Sequence, residues 1–393
     1  MPSITYHGVG PRVAYERRIA SLTQAQLAER AGVSLGTIRK VERNERGVSA
    51  QTLDDLATAL NVDTSRLLPG SERPDDRVHR GMPALSRIIA TCDVPDDGPV
   101  RPLQDLELAV AEATQWRLGA QYVRISRHLP PLLGELSRAL ASAAPAERAA
   151  IAALLVGACR TADAVAYKYG AHDLSARLVE LMRWAAPQAQ DPLLDSVVAY
   201  VRTETFFAAA AHDAGLRVLE QAIDRSPAPV GPATRASRGT LHMRAAVVAG
   251  RAANAGAAAA HLAEARALSE GEREGVFLGT AWGPDSVRIH QVSVAVSLGG
   301  DHVSQALAAA GEWAPPQALP AERRSGFWIE LARAQLWAGR PDRAFESLKV
   351  ARRVAPQHTR EHRWVKEDAG TLRRLKRADA EELTQFAQWC QAS

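Results

Sequence analysis

Between residues 11 and 68, apolar side chains recur at helical spacing in short blocks, each closed by a turn residue, which predicts five short helices. The first runs roughly over residues 12–21. Thr23 caps the second: its hydroxyl can accept from the third helical N–H while Gln26 reaches back, the capping-box arrangement. Leu27, Ala28 and Ala31 give that helix an apolar face, and Gly32 stops it. Ser34 caps a third helix, which sends Ile38 and Val41 inward and leaves Leu35, Gly36, Thr37, Arg39, Lys40 and Arg43 outside. A fourth starts after Ser49, with Leu53, Leu56, Ala57 and Leu60 on one face. A short fifth follows Asp63 and ends by Pro69-Gly70. Residues 23–42 thus read as two helices joined by a tight turn, the second basic outside. That layout, the helix-turn-helix, sets one helix into the major groove of DNA.

Downstream the pattern changes. Residues 69–83 are polar, charged and proline-containing, as a linker is, with a short apolar helix over 84–92 and a second break ending at Pro102. Helical periodicity then dominates, with an internal repeat. The clearest unit, residues 325–357, carries Trp328, Leu331, Ala332, Gly339, Ala344, Leu348, Ala351 and Pro356. Small residues let antiparallel helices approach, large ones fill the groove between neighbours, and no single pair can bury its own apolar face. Weaker copies use Ala246, Leu262 and Ala265, then Leu219, Ala222 and Pro227. Pro187, Pro227, Pro316 and Pro356 mark repeat ends. Turns are expected at 170–173, 211–214, 254–256, 299–301 and 339–342, which gives about five hairpins with a period nearer forty residues than thirty-four. The expected fold is all-α: a five-helix head (1–70), a linker with a short helix (71–102) and an α-solenoid (103–393).

Composition excludes more than it assigns. Abundant Ala and scarce β-branched runs fit an all-α chain. No stretch offers about 18 unbroken apolar residues and the first residues form no apolar signal region, so the expected compartment is the cytoplasm, with no membrane partner. The three cysteines, Cys92, Cys159 and Cys390, are scattered, and the histidines show no metal spacing, so neither a disulfide framework, a metal nor a cofactor is expected. No nucleophile elbow, phosphate-binding loop or metalloprotease motif occurs, so an enzyme is not expected. His172-Asp173 and His212-Asp213 read as turn and cap residues. The net charge is only +4, but Arg39, Lys40, Arg43 and Arg46 fall within eight residues.

Thr23-Gln24, Leu27-Ala28, the run Ala31-Gly32-Val33-Ser34, Thr37-Ile38, Val41-Glu42, Leu56-Ala57 and Leu60-Asn61-Val62 together resemble the Cro/phage-repressor (Xre-type) DNA-binding family over residues 13–68. The repeat over 325–357 resembles a tetratricopeptide repeat. The combination is similar to a large set of bacterial regulators, which includes the peptide-pheromone-responsive ones of Gram-positive bacteria. The high Ala, Arg and Gly content looks like that of a high-GC actinobacterium. The resemblance implies that Gln24 contacts a phosphate, that Ser34, Leu35, Gly36 and Lys40 face base edges or adjacent backbone with Thr37 and Arg39 flanking them, and that Arg17 and Glu42 form an internal salt bridge, which makes Glu42 a brace. Phage repressors often carry Gln where this chain has Leu35 and Gly36. Leu offers only apolar contact, so readout falls to Lys40 and Arg39, either of which donates to guanine or to phosphate. Arg43 and Arg46 either join them or form a solvated turn.

The same resemblance implies a double-stranded DNA operator, a homodimer held by the solenoid, and a peptide or small-molecule effector in its concave groove. The alternative is a solenoid that serves only as a dimerisation or protein-partner scaffold. First helices of each pair line such grooves. The candidates are Arg202, Thr203, Glu204, Phe206, His242, Arg288, Gln291, Trp328 and Glu330, with Trp282 in a loop that is either a lid or a packed segment. Trp328 and Phe206-Phe207 also fit packing positions. The basic run 373–377 is either a solvated helix face or a contact to flanking DNA.

Overall fold

The computed structural model describes residues 5–6, 8–20, 22–60, 67, 78–375 and 380–392. The chain divides into two compact units, Met1–Asp76 and Arg77–Ser393.

In the first unit, α1 (Gly10–Ile19), α2 (Gln24–Arg30), α3 (Leu35–Glu42) and α4 (Ala50–Leu60) surround a core in which Val13, Leu27, Ile38, Val41, Leu53 and Leu56 are fully buried. The capping box forms: Thr23 Oγ1 accepts from the Gln26 amide at 3.2 Å, and the Thr23 amide donates to Gln26 Oε1 at 2.8 Å. Ser34 Oγ accepts from the Thr37 amide at 3.0 Å and starts α3. Gly32 sits at φ +63°, where a Cβ is strained, and turns the chain between α2 and α3. Gly10 permits the tight crossing of α1 and α3, since a Cβ there would lie 2.1 Å from the Val41 carbonyl oxygen. The chain pattern did not announce one feature: β1 (Thr5–Tyr6) pairs antiparallel with β2 (Val48–Ser49). The expected fifth helix of the head falls mainly outside the described residues, although Leu67 is buried in the core.

Among its described residues the second unit is all-helical but for one hairpin. It begins with α5 (Met82–Ala90), α6 (Leu103–Leu118) and α7 (Tyr122–Ser142). Leu85 and Ile89 of α5, in the stretch read as a linker, are buried in the core of this unit. Five antiparallel pairs follow: α8 (Pro145–Lys168) with α9 (His172–Ala185), α10 (Pro192–Ala208) with α11 (His212–Arg225), α12 (Pro232–Arg251) with α13 (Ala255–Ser269), α14 (Pro284–Leu298) with α15 (Val303–Ala310), and α16 (Ala321–Trp337) with α17 (Pro341–Val354). Their turns stand where the sequence put them. Each uses positive φ: Gly170 and Gly339 supply it in two turns, Gly299 and Gly300 together in a third, and Ala210 and Ala253 in the other two. α18 (Pro356–Glu361), α19 (Arg363–Leu375) and α20 (Ala380–Cys390) close the chain.

Consecutive first helices pack on one another and form an inner layer, with the second helices outside. The inner layer curls until α16 meets α6, and the Val123 amide donates to Gln357 Oε1 at 3.1 Å across that junction. α8 is by length and composition apolar enough to cross a bilayer, with a mean hydropathy of 1.6 over its most apolar window, although it holds no unbroken apolar run of about 18 residues. Most of that window is buried inside the unit, and Arg160 and Asp163 interrupt it.

Between α13 and α14 the chain makes a β-hairpin, β3 (Gly275–Phe277) against β4 (Thr280–Trp282), turned by Leu278 (φ +41°) and Gly279 (φ +77°). Sequence analysis placed a loop here. The hairpin is anchored by Trp282, which is buried against Gly239 of α12; a Cβ at Gly239 would fall 1.9 Å from the indole ring. Overpacking of this kind costs about 1–3 kcal/mol. Gly239→Ala should therefore lose about that much stability in urea unfolding, helix propensity notwithstanding; an unchanged midpoint would contradict the packing described.

Candidate nucleic-acid interface and inner cavity

The outer face of α3 owes its geometry to what its inner face is tied to. Ile38 and Val41 anchor it in the core, and Glu42 is held from two sides. Arg17 Nε and Nη2 donate to its two carboxylate oxygens at 2.6 and 3.0 Å, and Gln24 Nε2 donates at 2.8 Å. Arg17 also reaches the Leu22 carbonyl at 2.9 Å, so one guanidinium ties α1 to α3 and to the entry of α2. Ser34, Gly36, Arg39, Lys40 and Arg43 remain exposed, with Leu35 and Thr37 half-buried. Arg43 Nε donates to the Arg39 carbonyl at 3.2 Å and pairs with Glu45 at 3.3 Å, both in solvent. A Cβ at Gly36 would meet only Ser34 Oγ at 3.7 Å, so folding does not demand glycine there. Gln24 is half-buried, and Arg46 is exposed. The expected DNA-contact residues thus share one surface of the head, with Gln24 braced beside them. In the second unit Arg373 and Arg374 are exposed on α19, while Lys376 and Arg377 lie outside the described residues.

The second unit encloses a cavity of about 650 Å³ on its inner layer. Every first helix contributes a stripe at helical spacing: Arg160, Asp163, Tyr167 and Lys168 from α8; Tyr200, Glu204 and Phe207 from α10; Arg244 and Arg251 from α12; His290 and Ser293 from α14; Glu322, Arg323, Phe327 and Glu330 from α16. Arg117 of α6, Tyr122 of α7 and His358 of α18 complete the wall. Lys168 and Glu322 form an ion pair at 2.9 Å that joins the first hairpin to the fifth. Burial works to raise the Glu322 carboxyl, yet Lys168 and His358 bring it down to about 2. Glu330 is half-buried and accepts from Ser293 Oγ at 2.7 Å; loss of solvent pushes its carboxyl up to about 7 against that bond and the nearby Arg251 and Arg323. Burial and neighbouring Glu204 raise Asp163 well above the carboxylate range.

The residues expected to face an effector do not all meet in this cavity. Glu204 and Glu330 line the cavity, but Arg202, Phe206, His242, Trp282, Arg288 and Gln291 do not. The cause is helical register. On α10 the inward side is Tyr200, Glu204 and Phe207; Arg202 and Phe206 point away and stack on each other at 5.4 Å. His242 turns to the partner helix, its Nδ1 3.0 Å from His261 Nδ1. Trp282 is the hairpin anchor. Arg288 Nε donates to the Ala309 carbonyl at 3.0 Å and its guanidinium lies over Trp313, while Gln291 beside it lines a separate shallow recess. Thr203 is fully buried, and Trp328 packs edge-on against Phe327, at 5.3 Å between ring centroids. Sequence reasoning missed Arg117, Arg160, Lys168, Arg244 and Arg323. For two of the helices the signal was available: Arg160 with Lys168 at i, i+8 and Arg244 with Arg251 at i, i+7 on alanine-rich first helices; Arg117 and Arg323 carry no such spacing within their helices.

Residues 14–67 match a helix-turn-helix family. Over 74 residues (19% of this chain and 68% of the relative) the chain is 42% identical to an uncharacterized transcriptional regulator in the ATPase CF(0) region of Rhodospirillum rubrum. Over 52 residues (13% of this chain and 62% of the relative) it is 48% identical to control protein C.SmaI of Serratia marcescens. The chain belongs to this helix-turn-helix family and is a DNA-binding transcriptional regulator. Among solved structures, Bacillus thuringiensis PlcR in complex with the peptide PapR7 and DNA aligns with a TM-score of 0.29 at 13% identity, covering 67% of this chain and 95% of that one. The apo competence regulator ComR from Streptococcus vestibularis gives a TM-score of 0.29 at 11% identity, covering 95% of this chain and 98% of that one. Superpositions this loose decide nothing about the cavity.

The brace makes a stability prediction. The Arg17 and Glu42 side chains are 14% and 8% exposed. A pair this enclosed lies between the surface value of about 0–1 kcal/mol and the roughly 3–5 kcal/mol lost on breaking a buried pair. Arg17→Ala should cost about 2 kcal/mol in thermal or urea unfolding of the head. Burial tends to raise the Glu42 carboxyl, but hydrogen bonds from Arg17 and Gln24 leave it below its ordinary value. A depressed folded value stabilises above the unfolded value, and the contribution is lost as pH falls through the folded one. The wild-type advantage over Arg17→Ala should therefore be full at neutral pH and shrink in acid, below the ordinary glutamate range; a pH-independent difference would contradict the brace.

Proposed function

We propose that the chain is a sequence-specific regulator that sets residues 34–43 into the major groove, acts as a homodimer, and takes a small-molecule or peptide effector in the inner cavity of its helical body. The observation that carries the DNA-binding part is the exposed row Arg39, Lys40 and Arg43 on a helix whose opposite face is locked by Ile38, Val41 and Glu42. On such a locked helix Arg39 and Lys40 can donate to guanine edges or phosphates, and Arg43 can join them by leaving its solvent-exposed pair with Glu45. Gly36 lets the DNA backbone come close, since the fold makes no demand for it. Leu35 supplies an apolar contact of the kind a thymine methyl accepts. With thin side-chain readout at the helix tip, two copies spaced one DNA turn, about 34 Å, supply the missing specificity.

The effector part is favoured over a pure scaffold by the cavity. A scaffold needs an inner face filled by its own side chains; here about 650 Å³ remains between convergent polar groups. On this reading the protein works in the cytoplasm, where its operator is.

Replacing Arg39 and Lys40 together by Ala should remove two donors worth about 1–3 kcal/mol each and weaken operator binding at least about 30-fold. A gel-shift titration on the operator, with circular dichroism showing the helices intact, makes the measurement. If either residue contacts phosphate, the slope of log affinity against log salt falls by about one per contact. Unchanged affinity in the folded double variant would remove α3 from the interface.

A further inference from the structure

The cavity wall holds more buried cations than it neutralises. Among the described residues, Lys168 pairs with Glu322 at 2.9 Å and Arg244 approaches Glu204 at 3.5 Å. Arg117, Arg160 and Arg323 form no ion pair within 4 Å with any described residue. Arg117 and Arg160 are 8% and 7% exposed. Burying a guanidinium without a counter-charge is costly, and proteins place such groups where an anion comes to meet them.

What occupies these arginines now is neutral. Arg117 Nη2 donates to the Gly279 carbonyl at 2.7 Å. Arg160 donates through Nη1 to the Leu278 carbonyl and through Nη2 to Thr280 Oγ1, the latter at 2.5 Å. The β3–β4 hairpin tip therefore offers two backbone carbonyls and a hydroxyl to two guanidiniums. Arg117 Nε is buried without any acceptor. Arg323 has only the Tyr200 hydroxyl, at 3.4 Å. Tyr200 lies in the middle of the group, with the Arg160 and Arg244 guanidiniums 5.6 and 4.7 Å from its ring centroid. The local field is strongly positive. Burial alone would raise the Tyr200 phenol, yet Arg323, Arg244 and Arg160 lower it to about 8. Burial, then the neighbouring Arg117, brings Arg160 down to about 9, and burial lowers Arg117 as well, so these two cations lack a close counter-charge; Arg323 is held up against burial by Tyr200, Glu322 and Glu330.

We infer that Arg117, Arg160 and Arg323 form an oxyanion site at the floor of the cavity, and that the effector carries a carboxylate or phosphate group that they bind. This rests on the reading of the cavity as an effector site and adds the chemistry of the ligand. A charged oxyanion adds to the hydrogen bond the coulombic attraction and bidentate geometry that a neutral carbonyl lacks. It takes up the free Arg117 Nε and competes with the hairpin tip for the other donors. The hairpin tip thus stands in for the ligand in the empty protein.

Isothermal titration of the full-length protein with inorganic phosphate, and separately with succinate, tests this, with ionic strength held constant by chloride. One saturable site per chain in the millimolar range or tighter is expected for at least one anion, and the tighter of the two tells a phosphate ligand from a carboxylate one. Arg323→Gln, which removes no bond to the hairpin, should weaken that binding at least about tenfold. Arg117→Gln can still reach the Gly279 carbonyl and should weaken it as much. Arg363→Gln, at the exposed rim, should leave it unchanged. Absence of saturable heat with both anions, or wild-type affinity in folded Arg323→Gln, overturns the oxyanion site. Saturable binding that is lost in Arg323→Gln but leaves operator affinity unchanged upholds the site and refutes the effector reading on which its role depends.

Discussion

Lys168 and Glu322 hold the helical body in the form everything else requires. They come from the first and fifth hairpins, 154 residues apart in sequence, and meet at 2.9 Å inside the cavity wall. A stack of helix pairs in which each touches only its neighbours would otherwise leave its concave side open. This contact, with the Val123–Gln357 hydrogen bond and the contact between α6 and α16, turns an open inner face into an enclosed one. Burial in this wall then changes the electrostatics, because charges that water would screen on an open surface interact more strongly where solvent is partly excluded. The low Glu322 value and the raised Glu330 and Asp163 values follow from that step.

The same enclosure explains why the inner helices look as they do. α8 and α12 are alanine-rich, so neighbouring helices approach closely and leave little room for solvent. Into this apolar setting each inner helix projects long polar side chains on one face. Aromatic rings share the load: the Arg244 guanidinium lies over Tyr200 and Phe207 at 4.7 and 4.9 Å, and Arg251 over Trp364 at 4.8 Å. Cation–π contacts of this kind partly replace lost hydration and hold the guanidiniums in place without neutralising them.

Much of the fold was legible because it rests on local signals. Thr23, Gln26, Gly32 and Ser34 fix the head through caps and one left-handed residue, and each acts within four positions of itself. The five hairpin turns were legible for the same reason, even where Ala210 or Ala253 takes the conformation that glycine takes elsewhere. The β3–β4 hairpin was not legible. Its strands are three residues each, and what holds it is Trp282 against Gly239 and two arginines more than a hundred residues away. The cavity residues were missed for a different reason. Adjacent positions on a helix differ by about 100° in direction, so an error of one or two residues selects the outer face. Naming Arg202 and Phe206 beside Glu204, and passing over Tyr200 and Phe207, is that error. The charge pattern of α8, with Arg160, Asp163 and Lys168 inside an apolar run, carried the register and would have corrected it.

The two units pose complementary problems of affinity. On the reading proposed above, the head reads DNA through few side chains, since Leu35 and Gly36 offer little at the helix tip. Specificity then falls on Arg39, Lys40, the deformability of the site and the spacing of two copies. A reader of that kind binds well only when both copies fit at once, so a change in their spacing costs the contacts of a whole half-site. A cavity that is short of counter-charge supplies the matching lever. A ligand that neutralises Arg117, Arg160 and Arg323 removes a penalty built into the empty form, and part of that free energy becomes available to favour one arrangement of the body over another. Each 1.4 kcal/mol of such differential binding shifts occupancy of a paired operator about tenfold. Arg117 and Arg160, buried without an ion-pair partner, are where such a penalty is held.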